Sequence, residues 1–154
     1  MTRGESFETL NHFFVRTFNS ILAWEERSLR AAGLANLSVK ELHTLEAAHE
    51  MCKKGLNTMS QIAARMGISV GALTTAVNVL VRKGYLARGG DEKDRRVVTI
   101  RPTPAGLDAL AVHEEFHRRM IGGIMDALGD AELAALTASV ATLDGFFQNL
   151  IKEG

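Results

Sequence analysis

The chain has 154 residues, of which 46% are hydrophobic and 23% are charged, and its formal net charge is zero. This length and composition predict one folded domain and exclude a disordered chain. No apolar run approaches the roughly 18 residues of a membrane-spanning helix, and the first residues lack the apolar core of a signal peptide. The single Cys52 excludes an intrachain disulfide and fits a reducing compartment. We therefore expect a cytoplasmic protein without membrane contact.

The zero net charge hides an uneven distribution of charge along the chain. Residues 1–36 carry four basic and four acidic side chains, residues 37–81 four and three, residues 82–101 seven and three, and residues 102–154 three and eight. The balances of these segments are 0, +1, +4 and −5. A local basic excess attracts an anionic partner whatever the total charge.

The first predicted element is a long helix over residues 6–31, and Gly33 is predicted to end it. Its apolar positions follow helical spacing and are Phe7, Leu10, Phe14, Phe18, Ile21 and Leu22. A second helix is predicted from the N-cap Ser38, with Glu41 completing a capping box, to about Lys54.

Two helices separated by a tight turn are predicted next. Thr58 is expected to cap the third helix and Ser69 the fourth, with Gly67 in the turn between them, where a positive φ is often required. The fourth helix is predicted to end at Gly84. Its buried stripe is predicted to consist of Leu73, Ala76, Val77 and Leu80.

Two short strands, about 85–88 and 97–101, are predicted after the fourth helix, with Gly89-Gly90 at the entry to the hairpin. Helix, turn, helix and hairpin in this order are typical of a winged helix-turn-helix, whose second helix enters the major groove of double-stranded DNA. The expected fold class is therefore mainly α with a small β-hairpin wing.

Both ends of the chain carry more apolar surface than one subunit can cover. Thr103 followed by Pro104 is predicted to open a fifth helix that runs to about Leu128, and Asp130 begins a sixth. A homodimer is expected, because two-fold symmetric DNA readers match palindromic operators, and a plain helical bundle is the alternative. The predicted parts of one compact domain are a dimerisation helix (1–36), a DNA-binding region (37–101) and dimerisation helices (102–154).

The outward face of the fourth helix supplies the predicted base contacts. Small residues near its start permit close approach to base edges, threonine methyls can meet thymine methyls, and Asn78 can bond adenine or a phosphate. Its N-terminus favours phosphate. A merely solvated polar face is the alternative. The predicted DNA-contacting residues are Ser69, Gly71, Ala72, Thr74, Thr75, Asn78 and Arg82.

The hairpin tip is predicted to reach a minor groove, whose negative potential attracts arginine. The basic side chains there are Lys93, Arg95 and Arg96, and Asp94 is expected to hold Arg96 by a bidentate pair. A solvated charge cluster is the alternative, and the pattern leaves open which arginine enters the groove.

These features resemble the MarR family of winged-helix repressors. The matching pieces, within residues 37–106, are LSVKELHTLEAA, IAARMGIS, GALTTAVNVLVRKGYLAR, DEKDRR and TPAG. The resemblance implies a DNA-binding repressor and assigns the same pairing to Asp94 and Arg96. Within the family, KELHTLEA, GALTTAVNVLVRKGY and HEEFHRRM resemble the FabT-type repressors of fatty-acid synthesis. That likeness implies an acyl chain carried by acyl carrier protein as the effector.

An apolar tunnel for such a chain is one predicted effector site. Flexible methionines suit a long ligand, although aromatic and methionine side chains at helical spacing are more often plain core. The predicted lining residues are Phe13, Phe14, Phe18, Trp24, Met51, Phe116 and Met120.

Three histidines, His43, His113 and His117, have three open interpretations. They line the acyl pocket, make structural hydrogen bonds, or bind zinc, because His113 and His117 lie one helical turn apart. Some MarR-type repressors sense zinc with similarly placed histidines. Those repressors have an acidic residue where Leu42 stands here, and their cysteine ligand has no counterpart in this chain.

An enzyme is not expected. The segment His113-Glu114-Glu115-Phe116-His117 does match the HEXXH pattern of zinc peptidases, but no histidine follows His117 to act as a third ligand. Neither a nucleophile elbow nor a phosphate loop is present. We expect no cofactor, with zinc as the alternative and a zinc peptidase as a remote one.

Overall fold

The computed structural model describes residues 2–90, 93–94 and 96–153. The chain divides into two compact units, one ending at Phe116 and the other beginning at His117. The expected mainly α fold with a small hairpin is confirmed. The elements in chain order are α1 (Arg3–His12), a π-helical segment (Phe13–Thr17), α2 (Phe18–Ala31), α3 (Val39–Lys53), α4 (Met59–Met66), α5 (Val70–Arg82), β1 (Leu86–Gly90), β2 (Val98–Pro102), α6 (Pro104–Ala127) and α7 (Asp130–Glu153).

The N-terminal helix differs from its prediction in its start and its continuity. It begins at Arg3 because Thr2 and Glu5 form a capping box, in which each side chain accepts the other residue's backbone N–H. The π-helical segment Phe13–Thr17 then separates α1 from α2. Such a segment inserts an extra residue into a helix and shifts which side chains share a face.

The core lies where α3, α4 and α5 meet. Leu42, Leu45, Ile62, Leu73 and Leu80 are fully buried there, which confirms the stripe predicted for α5, except that Ala76 is only half-buried. Met51 is buried in the same cluster, at 8% exposure. Met51 therefore packs in the core between the helices, and its role in an effector pocket stays a prediction.

Local capping fixes the ends of these helices as the sequence predicted. Ser38, Thr58 and Ser69 each accept the backbone N–H of the residue three positions on. Gly67 ends α4 in the left-handed region with φ of 66°, a conformation that a Cβ disfavours. The turn can therefore redirect the chain straight into α5.

The hairpin is slightly shifted from the predicted strands. β1 and β2 pair antiparallel, from Leu86 opposite Pro102 to Gly90 opposite Val98, so the glycines expected at the entry belong to β1. On its other edge β2 is bonded to Asn57, which precedes the N-cap of α4. Asn57 accepts the N–H of Ile100 at 2.9 Å through its carbonyl and donates its side-chain amide to the Ile100 carbonyl at 2.7 Å. The wing is thus attached directly to the helix-turn-helix.

The start of α6 is held against the end of α5. Thr103 accepts the N–H of Gly106 at 3.1 Å, which makes it the predicted N-cap, and its hydroxyl donates to the Gly84 carbonyl. The Thr103 N–H donates to the Tyr85 carbonyl at 3.0 Å. A Cβ at Gly106 would overlap that carbonyl oxygen, so the approach requires glycine.

The second unit consists of the end of α6 together with α7, which begins at Asp130 as predicted. The Gly129 N–H donates to the Glu132 carboxylate at 2.9 Å just before α7 begins. Large apolar side chains on α7 are exposed in the single chain, namely Leu136, Val140, Leu143, Phe146, Phe147, Leu150 and Ile151.

None of the described helices is by itself both long enough and apolar enough to cross a membrane. Helices α4 and α5 together reach that length and hydropathy, but the chain bends by 106° between them.

Candidate nucleic-acid interface

Helix α5 turns most of the predicted DNA-contacting residues to solvent. Thr74 is the exception, since it is half-buried and its hydroxyl donates to the Val70 carbonyl at 2.8 Å. Ser69 accepts the Ala72 N–H at 3.1 Å, and as a hydroxyl it retains a proton to donate. The exposed members of the predicted set are Ser69, Gly71, Ala72, Thr75, Asn78 and Arg82.

A contact between α5 and β1 was missed by the sequence analysis. The Arg88 guanidinium donates to the side-chain oxygen of Asn78. Both residues, with Thr75 and Arg82, line a cleft of about 490 Å³. The only signal in the sequence was that Arg88 belongs to the basic segment 82–101. This pairing gives the exposed face of α5 a second arginine.

The other end of the α5 surface is fixed by an ion pair with α3. The Lys83 ammonium lies 2.8 Å from the Glu41 carboxylate and also donates to the Asn36 carbonyl. Burial acts to raise the pKa of Glu41, but hydrogen bonds from Lys83 and Ser38 and the Lys83 charge outweigh it, so this pKa is lowered. Glu41 therefore caps α3 and holds the end of α5 at the same time.

At the wing tip, Lys93, Asp94 and Arg96 are exposed, and Arg95 lies outside the described residues. The Asp94 carboxylate accepts the backbone N–H of Arg96 at 3.0 Å, while the Arg96 Nε lies 3.6 Å away. The expected bidentate pair is therefore wrong in its geometry, because the carboxylate is engaged by the backbone. Asp94 shapes the turn and pairs only loosely with the guanidinium.

The aromatic residues predicted to line an effector tunnel include two edge-to-face pairs. Trp24 and Phe116 pack edge to face with ring centroids 4.9 Å apart, and Phe13 and Phe14 do so at 5.4 Å. Phe116 is buried, whereas Phe13, Phe14 and Phe18 are exposed in the single chain. In the second unit Met120 is half-buried.

A polar cluster joins α2, α3 and α6, and in it Glu25 and His113 are buried while His43 and Glu46 are about half exposed. His113 Nδ1 lies 2.9 Å from the Glu25 carboxylate, and both side chains are about 5% exposed or less. The same carboxylate lies 3.7 Å from His43 Nε2, while His113 Nε2 lies 3.4 Å from Glu46. One possible ligand atom from each of Glu25, His43 and His113 lies within 4.8 Å of the other two.

Glu25 is the member of this cluster that the sequence analysis missed. The sequence contains a sign of its burial, because Glu25 lies between Ile21 and Leu29 in the apolar stripe of the helix, where an apolar residue is expected. His117, the predicted third histidine, is exposed in the second unit.

The two histidines of the HEXXH segment differ in their surroundings. His113 is 3% exposed and pairs with Glu25, whereas His117 is exposed in the second unit. The zinc-peptidase alternative stays a prediction from the sequence.

Comparison with known proteins identifies the family of the chain. A family model described as MarR family matches residues 55–97. Streptococcus pneumoniae FabT, solved in complex with DNA, is 31% identical, with a TM-score of 0.83 over 94% of this chain and 99% of that one. The chain belongs to the MarR family. It is a DNA-binding transcriptional regulator of the MarR type, and the fold described above is that of the family.

Two proteins of Bacillus subtilis are also similar to this chain. The HTH-type transcriptional regulator YcgE of Bacillus subtilis is 29% identical over 104 residues, a match that covers 68% of this chain and 64% of that protein. The chain thus spans slightly less than two thirds of this relative's length. YusO of Bacillus subtilis shares the fold, with a TM-score of 0.68 at 20% identity over 94% of this chain and 99% of that one.

Proposed function

We propose that this MarR-family chain is a homodimeric repressor that binds a pseudo-palindromic operator. In each half-site α5 lies in the major groove and the wing lies at the adjacent minor groove. The observation that carries the proposal is the exposed face of α5, which presents small and polar side chains beside the segment with the basic excess. FabT, solved in complex with DNA, supports it at 31% identity.

Exposed apolar surface at both ends of the chain supports the homodimer. On α1, Phe7 is 66% exposed, and on α7, Ile151 is 75% exposed. Monomeric proteins rarely leave contiguous apolar surface of this kind in water. A second copy of the chain is the occupant that two-fold operator symmetry requires.

The test is a selection of binding sites from a randomised duplex library, with the full chain as bait. Native mass spectrometry of the selected complex then gives the number of chains per duplex. We expect two chains on an inverted repeat whose half-sites lie about one helical turn apart. A chain that sediments as a monomer at micromolar concentration and still binds the selected duplex with full affinity would contradict the proposal.

We further propose that the effector is a long acyl chain presented by acyl carrier protein, and that the regulated process is fatty-acid synthesis. Support comes from the FabT-type motifs and from the identity to FabT. Trp24, which is 39% exposed and packs on the buried Phe116, supplies apolar surface within the first unit.

Titration of long-chain acyl carrier protein into the operator complex tests this effector. Coupled ligands shift affinity by about 1–3 kcal/mol, which an anisotropy titration resolves. Phe14→Asp should abolish the response and leave basal DNA binding intact. Leu56→Asp, at an apolar residue of similar exposure outside the two chain ends, is the matched control. An unchanged response in Phe14→Asp would remove Phe14 from the effector site.

Zinc is a second candidate effector, favoured by the cluster of Glu25, His43 and His113. Two imidazoles and a carboxylate are a donor set that suits zinc, and their ligand atoms lie within 4.8 Å of one another. This set differs from the three histidines predicted from the sequence, because Glu25 stands in it instead of His117.

Histidine variants test the zinc proposal. His43→Ala and His113→Ala should each abolish any zinc response, whereas His49→Ala, on the same helix as His43, should retain it. Zinc affinity should fall in acid, because protons compete with the metal for the imidazole nitrogens. A shift in operator affinity with micromolar zinc, lost on chelation, and none with acyl carriers would select zinc.

A further inference from the structure

The contact between Arg88 and Asn78 determines which way the asparagine amide faces. Arginine carries five N–H donors and no acceptor, so the amide must turn its oxygen toward the guanidinium. The amide NH₂ of Asn78 is then left facing away from Arg88. Both residues are exposed, and they line the cleft between α5 and β1.

This orientation changes what the asparagine can recognise. An asparagine with both amide atoms available pairs with adenine, accepting from N6 and donating to N7. Here the oxygen of Asn78 already accepts from Arg88. Its second lone pair remains, but an adenine amino group using it would bring its own partial positive charge beside the guanidinium cation. The adenine pairing is therefore disfavoured.

We propose that Arg88 is a specificity-determining residue that makes Asn78 act as a hydrogen-bond donor only. The pair then presents only N–H groups to the major groove. Guanine is the base whose major-groove edge offers only acceptors, N7 and O6, so the pair selects guanine over adenine at the position that Asn78 faces. This inference rests on the proposed role of α5 as the base-reading helix.

The experiment is binding-site selection from a randomised duplex library, followed by sequencing, with the full chain and three variants. Wild-type protein should enrich guanine at one position of each half-site. Arg88→Met frees the Asn78 oxygen, so the guanine-to-adenine ratio at that position should fall about fivefold, the scale of one hydrogen bond. Asn78→Ala should remove the preference at the same position.

Arg101→Met is the matched control, because it removes the same charge from the neighbouring strand β2. It should weaken binding to all duplexes and leave the guanine-to-adenine ratio at the Asn78 position unchanged. Circular dichroism checks that each variant keeps its helices, which the exposure of Asn78 and Arg88 favours.

The outcomes separate this inference from the proposed function. If Asn78→Ala removes a base preference that Arg88→Met leaves intact, the role of Arg88 is overturned and base reading by α5 stands. A wild-type preference for adenine at the Asn78 position also overturns it. If Asn78→Ala changes no preference at any position, both base reading by Asn78 and the role of Arg88 are overturned.

Discussion

Gly106 lies so close to Tyr85 that a methyl group at residue 106 would overlap the Tyr85 carbonyl oxygen. That carbonyl also accepts the Thr103 N–H at 3.0 Å, so it cannot move away without losing a hydrogen bond. The glycine of the TPAG sequence therefore marks the place where α6 crosses the end of the DNA-reading helix.

Gly106→Ala should lower the free energy of unfolding by about 1–3 kcal/mol, because the added carbon forces backbone atoms apart in a packed region. Gly123→Ala, on the same helix, meets no atom within 4 Å and should be neutral or gain roughly 0.5–1 kcal/mol from helix propensity. Urea unfolding of the two variants checks both values. Equal stability of the two variants would show that the approach of Gly106 to Tyr85 is unimportant.

Glu41→Gln should lower stability at neutral pH by roughly 1 kcal/mol, the upper range for a partly exposed ion pair. Glutamine can still complete the capping box with Ser38, so the loss reports the Lys83 pairing. Because the folded pKa of Glu41 is lowered from 4.5, its contribution is present above that value and is lost as the pH falls through the folded pKa.

Thermal unfolding of wild type and Glu41→Gln between pH 7 and pH 3 measures this dependence. The difference between the two proteins should shrink as the pH falls. Glu8→Gln, on the exposed helix α1, is the control and should change stability little at any pH. A difference that grows toward low pH would contradict the assignment.

Asp94→Ala should weaken operator binding, although it removes a negative charge near DNA. The carboxylate accepts the Arg96 backbone N–H at 3.0 Å and so shapes the wing tip. Asp94→Asn keeps an acceptor at that place and should bind as well as wild type or better. Arg96→Ala should cost about 1–3 kcal/mol if its side chain enters the groove. Anisotropy titrations measure the operator affinity of each variant. Tighter binding by Asp94→Ala would contradict the role of Asp94 in shaping the wing tip.

Gly67→Ala and Gly71→Ala should separate folding from DNA contact. Gly67 has a φ of 66°, so alanine there should cost about 1–2 kcal/mol of stability. Gly71 lies in the first turn of α5, where the nearest atom to an added Cβ is the Ser69 hydroxyl oxygen at 4.0 Å. Alanine at Gly71 should therefore preserve stability and reduce operator affinity by crowding the bases. Urea unfolding measures the stability of both variants, and anisotropy titration measures their operator affinity. A Gly71→Ala variant less stable than Gly67→Ala would contradict the prediction.

Features that depend on neighbours in sequence were predictable from the chain alone. The caps at Ser38, Thr58 and Ser69 and the turn at Gly67 each involve residues within about four positions, and all were confirmed. The missed capping box at Thr2 is also local. It was overlooked because the apolar pattern begins only at Phe7.

The contacts that the sequence did not reveal join distant segments. Glu25 meets His113 across two helices, and Arg88 meets Asn78 from a strand to a helix. Periodicity says which side of an element is buried but not which residue lies opposite. Met51 shows the limit clearly, because a methionine that fills a core and one that lines a tunnel have the same spacing.

The bonds between β2 and Asn57 mean that the wing is joined to the helix-turn-helix on two sides, through β1 and through the start of α4. The separation between α5 and the wing is therefore set when the subunit folds, and little conformational entropy remains to be lost there on binding. In the proposed homodimer, such a preorganised reader leaves an effector only the relative placement of the two subunits on the operator to regulate. Affinity changes should then follow the distance between half-sites rather than the sequence within each one.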